Sequence, residues 1–178
     1  MTDLLRLLNP TTRLEGESDA LAAGRAGALG AFLLAVGGVI GAVIVVLTAD
    51  SYAVQLRTAA LAMHGDPKAA QKTAALMTPT LVYASAIYSV VCALVLVVLG
   101  AVQRRKPNTI IPLILGLLTA YSVLMFVIGK LPGAMSIHME LPVWRQVLIQ
   151  TANVAALVFF YAGFRGANRL AKLRKATI

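Results

Sequence analysis

Charged residues are scarce in this 178-residue chain, and four long stretches contain none apart from Arg145. Only 13% of the residues are Asp, Glu, Lys or Arg, whereas a soluble globular domain has about 25%. Apolar residues make up 59% of the chain, and the mean hydropathy is +0.81. A soluble fold of this length cannot bury so much apolar surface, so we expect lipid to surround most of it.

The same lack of charge excludes several classes of membrane protein. Acidic, basic and histidine side chains inside membrane helices usually mark ion paths, proton relays or substrate counter-ions. Apart from Arg145 next to the start of the fourth, none lies inside the four apolar stretches, which argues against pumps and proton-coupled carriers. A haem-binding bundle needs histidines inside its spans, and these are missing as well.

Cysteine and histidine are too rare for redox or zinc chemistry. Cys92 is the only cysteine, which excludes an intrachain disulfide. With only two histidines beside it, the chain lacks a four-ligand zinc set. The carboxylates of Asp50, Asp66 and Glu140 stand alone, without a neighbouring nucleophile or phosphate-binding loop. We therefore predict no catalytic residues, no enzyme activity and no cofactor, while a bound lipid is compatible with the composition.

Four apolar stretches predict four transmembrane helices. The first, residues 26–49, reaches about 36 Å at about 1.5 Å per residue, enough to cross a hydrocarbon core of about 30 Å. The others cover about residues 79–103, 109–129 and 144–164. The expected fold is an all-α, four-helix membrane bundle forming a single domain over residues 1–178, with a basic tail at 165–178.

Local signals place the helix starts and the connections. Ser18 is the expected N-cap of the first helix, and Thr78 followed by Pro79 is the expected start of the second span. Residues 50–78 carry a helical apolar face that Gly65 interrupts, with Asp66 as the next start signal. We expect short interfacial helices in this first extracytoplasmic loop.

The distribution of basic residues predicts the orientation. Eleven of the 16 Lys and Arg residues lie in the N-terminal segment, the 104–106 turn and the tail, and the other five flank the remaining loops. The positive-inside rule then places both termini in the cytoplasm. The predicted location is a bacterial inner (plasma) membrane.

Small and polar residues recur at helical spacing within the spans. Such residues let membrane helices approach closely or form hydrogen bonds between helices. They serve either packing inside this bundle or an interface with a partner subunit, and the amides could also receive a polar lipid or quinone headgroup. The residues are Gly30, Gly37 and Gly41 in the first span, Ser85 and Ser89 in the second, and Gln146, Gln150 and Asn153 in the fourth.

Methionine and histidine concentrate in or beside the two outer loops. Thioether and imidazole ligands on an oxidising face suit Cu(I), provided that the two loops converge. The alternative is that the methionines pack apolar faces while the histidines are solvated or cap helices. The weak candidate ligands are Met63, His64, Met135, His138 and Met139.

Five cations in the tail are candidates for contact with lipid headgroups. Each Lys or Arg near an anionic surface contributes about 1 kcal/mol, so the tail is expected to lie on the membrane. The alternative is ordinary positive-inside flanking without a specific lipid site. The residues are Arg165, Arg169, Lys172, Arg174 and Lys175.

Taken together, these patterns favour a non-catalytic structural or accessory subunit of a membrane protein complex. Its partners would be membrane lipids and other membrane-protein subunits, in a hetero- or homo-oligomer, and not nucleic acid. The alternative hypothesis is an oligomeric permease for a small solute or copper, which would use the methionines and histidines of the outer loops.

Overall fold

The computed structural model describes residues 6–9, 11–63, 67–130 and 143–176, and these residues are helical with short connections. Four of the helices are long and apolar enough to cross a membrane, and the described residues contain no strand. The all-α, four-span prediction is confirmed. The helices are α1 (Glu17–Leu47), α2 (Ala49–Met63), α3 (Pro67–Leu76), α4 (Pro79–Arg105), α5 (Ile110–Ile128) and α6 (Val143–Ala176), of which α1, α4, α5 and α6 are the membrane candidates.

Of the three predicted helix starts, Thr78 is confirmed as a cap, Ser18 is wrong, and Asp66 lies outside the described residues. The Thr78 hydroxyl accepts a hydrogen bond from the Leu81 amide at 3.4 Å, and Pro79 opens α4. The N-cap of α1 is Gly16, not Ser18, and no side chain caps this end. Glu17 and Asp19 in the first turn instead place negative charge near the helix N-terminus, where the helix dipole favours it.

Helix α6 does not end where the fourth span was predicted to end. It continues from residue 164 to Ala176, so the basic tail is part of the same 34-residue helix. At about 1.5 Å per residue this helix is about 51 Å long, well beyond the thickness of a hydrocarbon core. Small or apolar residues remain buried in the extension, among them Gly166, Ala167 and Leu170, which packs it onto the rest of the chain.

Helix α1 lies at the centre of the bundle. It packs along α4 and along α6, while α5 packs mainly on α6. The main buried cluster joins Ala31 of α1, Leu115 of α5, and Ala156 and Phe160 of α6. The small residues of α1 therefore let α4 and α6 pack closely against it, and α5 joins the bundle mainly through α6.

The bundle has two chemically different ends. At one end lie the start of α1, the 106–109 turn and the last turns of α6; we call this the basic end. At the opposite end, α2 and α3 pack together, and the Arg57 Nε donates to the Met77 carbonyl at 2.7 Å. The two short helices predicted for residues 50–78 are present.

Helix α1 changes its surroundings along its length. Its buried residues run from Ala20 to Ala35, and beyond them only Ala42 is buried. Helix α4 stays close, since a Cβ at Gly38 would lie 3.7 Å from the Ala93 Cβ. Helix α6 does not stay close, so α1 and α6 diverge toward the opposite end.

Candidate interaction site

At the basic end, α1 and α6 touch through their backbones. A Cβ on Gly163 would lie 2.6 Å from the Gly27 Cα, and one on Gly166 would collide with the Gly24 amide nitrogen. Gly24 is also in close contact with the 106–109 turn, because a Cβ added at Gly24 would lie 2.9 Å from the Pro107 Cβ. Close approach of this kind is how helices associate in lipid, where packing replaces hydrophobic exclusion.

Gly30 belongs to this internal contact. A Cβ there would lie 2.9 Å from the Phe160 Cε1 and 3.0 Å from the Ala156 carbonyl oxygen. Phe160 is 1% exposed, so its ring has no room to move away. Of the predicted glycine stripe, Gly30 therefore packs inside the chain.

Gly37 and Gly41 lie farther along the same helix but face open space. A Cβ at either position would meet no atom of the described residues within 4 Å. Both line a void of about 270 Å³ between α1 and α6, which we call the α1–α6 cleft. Apart from Arg145 and Asn153 its lining is apolar; the main contributors are Leu33, Leu34, Ile40 and Ile44 of α1 and Trp144, Leu148, Ile149 and Ala152 of α6.

The three amides predicted to share one face of α6 line two different cavities. Asn153 lines the α1–α6 cleft, whereas Gln146 and Gln150 line an open groove of about 730 Å³ beside Phe126 and Lys130. One hydrogen bond joins two of the amides, from the Asn153 Nδ2 to the Gln150 Oε1 at 3.5 Å. Asn153 thus brings an amide into a cleft whose lining is apolar except for Arg145.

The hydroxyls in the second and third spans bond within their own helices and not to these amides. The Ser85 hydroxyl donates to the Val82 carbonyl at 2.7 Å, and the Ser89 hydroxyl to the Ser85 carbonyl at 3.0 Å. The Thr119 hydroxyl likewise donates to the Leu115 carbonyl at 2.7 Å. Their bonds therefore satisfy local donors and do not link α4 or α5 to α6.

Gln103 is an important residue that the sequence patterns did not single out. Its side chain is fully buried, and its Nε2 donates to the Gly24 carbonyl at 2.9 Å and to the Asn108 carbonyl at 3.2 Å. Its Oε1 accepts from the Asn108 amide at 3.3 Å. The sequence did contain a signal for this residue, because an amide in the last turn of an apolar stretch, directly before two arginines, is a candidate for a buried hydrogen-bonding role.

Three of the five tail cations hold the N-terminal segment. Arg165 donates to the Leu7 carbonyl at 3.1 Å, and Arg169 to the Leu14 carbonyl at 3.3 Å. Arg174 pairs with Glu17 at 3.4 Å, an exposed contact. For all five tail cations, contact with lipid headgroups stays a prediction.

The candidate copper ligands fall almost wholly outside the described residues. His64, Met135, His138 and Met139 lie there, and Met63 ends α2 with a side chain that is not described. Within the part of the chain that is described, no three His, Cys, Asp or Glu residues come together as a metal site. The copper hypothesis stays a prediction from sequence.

Comparison with protein-family models, curated proteins and solved structures found no match to this chain. What the geometry establishes is the class: an all-α protein with four helices that can cross a membrane.

Proposed function

We propose that this protein is a non-catalytic accessory subunit of a membrane protein complex, and that it binds a transmembrane helix of a partner in the α1–α6 cleft. The observation that carries the proposal is the contrast along α1. A methyl group at Gly30 would collide with Phe160, whereas one at Gly37 or Gly41 would have no neighbour within 4 Å in the part of the chain that the structure describes. Glycine inside a helix costs about 0.5–1 kcal/mol of stability relative to alanine. Close approach of another chain would explain why glycine occupies positions 37 and 41.

The chemistry of the cleft fits an apolar helix that presents small or hydrogen-bonding residues. Its walls are mainly aliphatic, with Trp144 and Arg145 at the end nearer α2 and α3 and Asn153 deeper in. Hydrogen bonds between membrane helices are worth about 0.6–2 kcal/mol, so Asn153 adds selectivity more than affinity.

A second copy of the chain fits this concave surface less well. A two-fold contact places the same surface on both subunits, and two clefts set against each other would leave both unfilled. A convex helix from a different protein fills the cleft without that conflict.

A leucine at position 41 should block the site from within. Because a Cβ there meets nothing within 4 Å, Gly41→Leu should fold normally while occupying the space of the partner. Val43→Leu is the matched control, since Val43 is 52% exposed and lies outside the lining of the cleft.

The measurement is native mass spectrometry after mild detergent extraction from the source membrane. We expect a heteromeric mass for the unmodified chain and for Val43→Leu, and free monomer for Gly41→Leu. A monomer under every mild condition, or an unchanged complex in Gly41→Leu, would contradict the proposal.

We also propose that the basic end faces the cytoplasm in a bacterial inner membrane. The support is the excess of Lys and Arg at that end, which includes Arg104, Arg105 and Lys106 in one turn. With Cys92 changed to Ala, a single cysteine at Lys106 should resist a membrane-impermeant thiol reagent in intact cells, whereas one at Gln71 in α3 should react. The reverse labelling pattern would overturn the orientation.

A further inference from the structure

Three arginines from two helices line one pocket at the basic end. The pocket measures about 640 Å³, is open on one side, and is lined by Arg25 and Phe32 of α1 and by Ala101, Arg104 and Arg105 of α4. We call it the arginine pocket. It lies between α1 and α4, whereas the tail cations discussed above belong to α6.

Packing between α1 and α4 fixes the shape of the arginine pocket. The Phe32 ring lies directly against Gly100, since a Cβ on Gly100 would be 2.7 Å from the Phe32 Cε1. Residues 25 and 32 share a face of α1, and residues 101, 104 and 105 share a face of α4, because three, four or seven positions return to the same side of a helix. The cations are therefore brought together by the helix contact itself.

These three cations have no acidic partner within the described part of the chain. The ion pairs found there join Arg6 to Asp19 and Arg174 to Glu17. Arg104 and Arg105 are at the C-terminal end of α4, where the helix dipole favours positive charge. That effect does not account for Arg25, which lies within α1 yet faces the same pocket.

An exposed apolar track leads away from the arginine pocket along the two helices. One helical turn or more beyond Arg25 lie Leu29 and Val36, which are 41% and 57% exposed. On α4, Val97 precedes Ala101 by one turn and is 44% exposed. Cationic groups above an apolar groove match an anionic headgroup with acyl chains below it, and basic pockets between membrane helices bind such lipids.

We propose that the arginine pocket is a binding site for one anionic glycerophospholipid. Arg25, Arg104 and Arg105 hold the phosphate, Phe32 forms the floor, and the acyl chains follow the groove between α1 and α4. The site does not depend on the partner-binding role proposed above.

The test is native mass spectrometry of the full chain titrated with phosphatidylglycerol and, separately, with phosphatidylcholine. We expect one phosphatidylglycerol per chain and weaker binding of phosphatidylcholine. Arg25→Gln should weaken phosphatidylglycerol binding about fivefold, the effect of one basic group near an anionic surface. All three arginine side chains are exposed, so their replacement by glutamine leaves the buried core intact.

Two charge-matched double variants separate a specific site from general attraction to positive charge. Arg104→Gln with Arg105→Gln removes two charges from the pocket, and Lys172→Gln with Lys175→Gln removes two from the tail at the same end. The first pair should weaken binding much more than the second. Equal weakening by both pairs, or no preference for phosphatidylglycerol, would overturn the proposal.

Competition with soluble glycerol phosphate and inorganic phosphate distinguishes a lipid from a free anion. If neither compound displaces phosphatidylglycerol at millimolar concentration, the result supports a lipid site that needs the acyl chains. Full displacement by inorganic phosphate would show a site for a free anion and would contradict the lipid assignment.

Discussion

At the scale of single residues, Gln103 does the most to join separate parts of the chain. Its amide links the end of α4, the turn at Asn108 and the backbone of α1 at Gly24. A buried carbonyl or amide that loses its partner costs about 1–3 kcal/mol, and Gln103 serves three such groups. One side chain thus fixes the approach of α1 to the α4–α5 turn.

Replacing Gln103 with methionine should destabilise the protein by about 2–4 kcal/mol, because the volume is kept while three hydrogen bonds are lost. The measurement is the free energy of unfolding in mixed micelles titrated with denaturing detergent. Gln55→Met on the exposed side of α2 is the control and should change little. A Gln103→Met variant as stable as the control would show that these bonds contribute nothing.

At the scale of helices, the N-terminal half of α1 packs closely against α6, whereas the described residues leave the α6 side of its C-terminal half uncovered. The division falls between Gly30, which meets Phe160, and Gly37, which meets nothing within 4 Å. The same residue type thus has opposite surroundings two turns apart.

Alanine substitutions at two glycines should therefore change the free energy of unfolding in opposite directions. Gly163→Ala places a methyl group 2.6 Å from the Gly27 Cα, so we expect destabilisation of about 1–3 kcal/mol from overpacking. Gly37→Ala enters open space and should stabilise the isolated chain by up to about 1 kcal/mol through helix propensity.

Both effects can be measured as the shift in detergent-induced unfolding of the purified chain. Equal and small effects of the two substitutions would contradict the asymmetric packing of α1 and α6.

Hydropathy and length were sufficient to predict the four spans, because crossing a membrane requires long uncharged helices. They did not predict the end of α6, since Arg165 marks where charge begins and not where helical packing stops. Helical periodicity placed Gly30, Gly37 and Gly41 on one stripe correctly, but it carries no information on which neighbour covers each part of that stripe. That depends on how α6 diverges from α1, which tertiary packing decides.

At the scale of the whole molecule, the chain is closed at one end and open at the other. Backbone contact at Gly27 and Gly163 and the arginine bonds to Leu7 and Leu14 hold the basic end together. Toward α2 and α3, the space between α1 and α6 opens into the α1–α6 cleft. This asymmetry leaves a preformed surface for another helix, and binding there requires little rearrangement of the chain.

Photo-crosslinking from single positions in intact membranes tests the partner-binding account most directly. A photoreactive residue at Gly41 or Leu148 faces the α1–α6 cleft, whereas one at Val43 lies outside its lining. We predict a discrete protein adduct of constant added mass from positions 41 and 148, and only lipid adducts from position 43. Lipid adducts alone from the two cleft positions would contradict the proposed role.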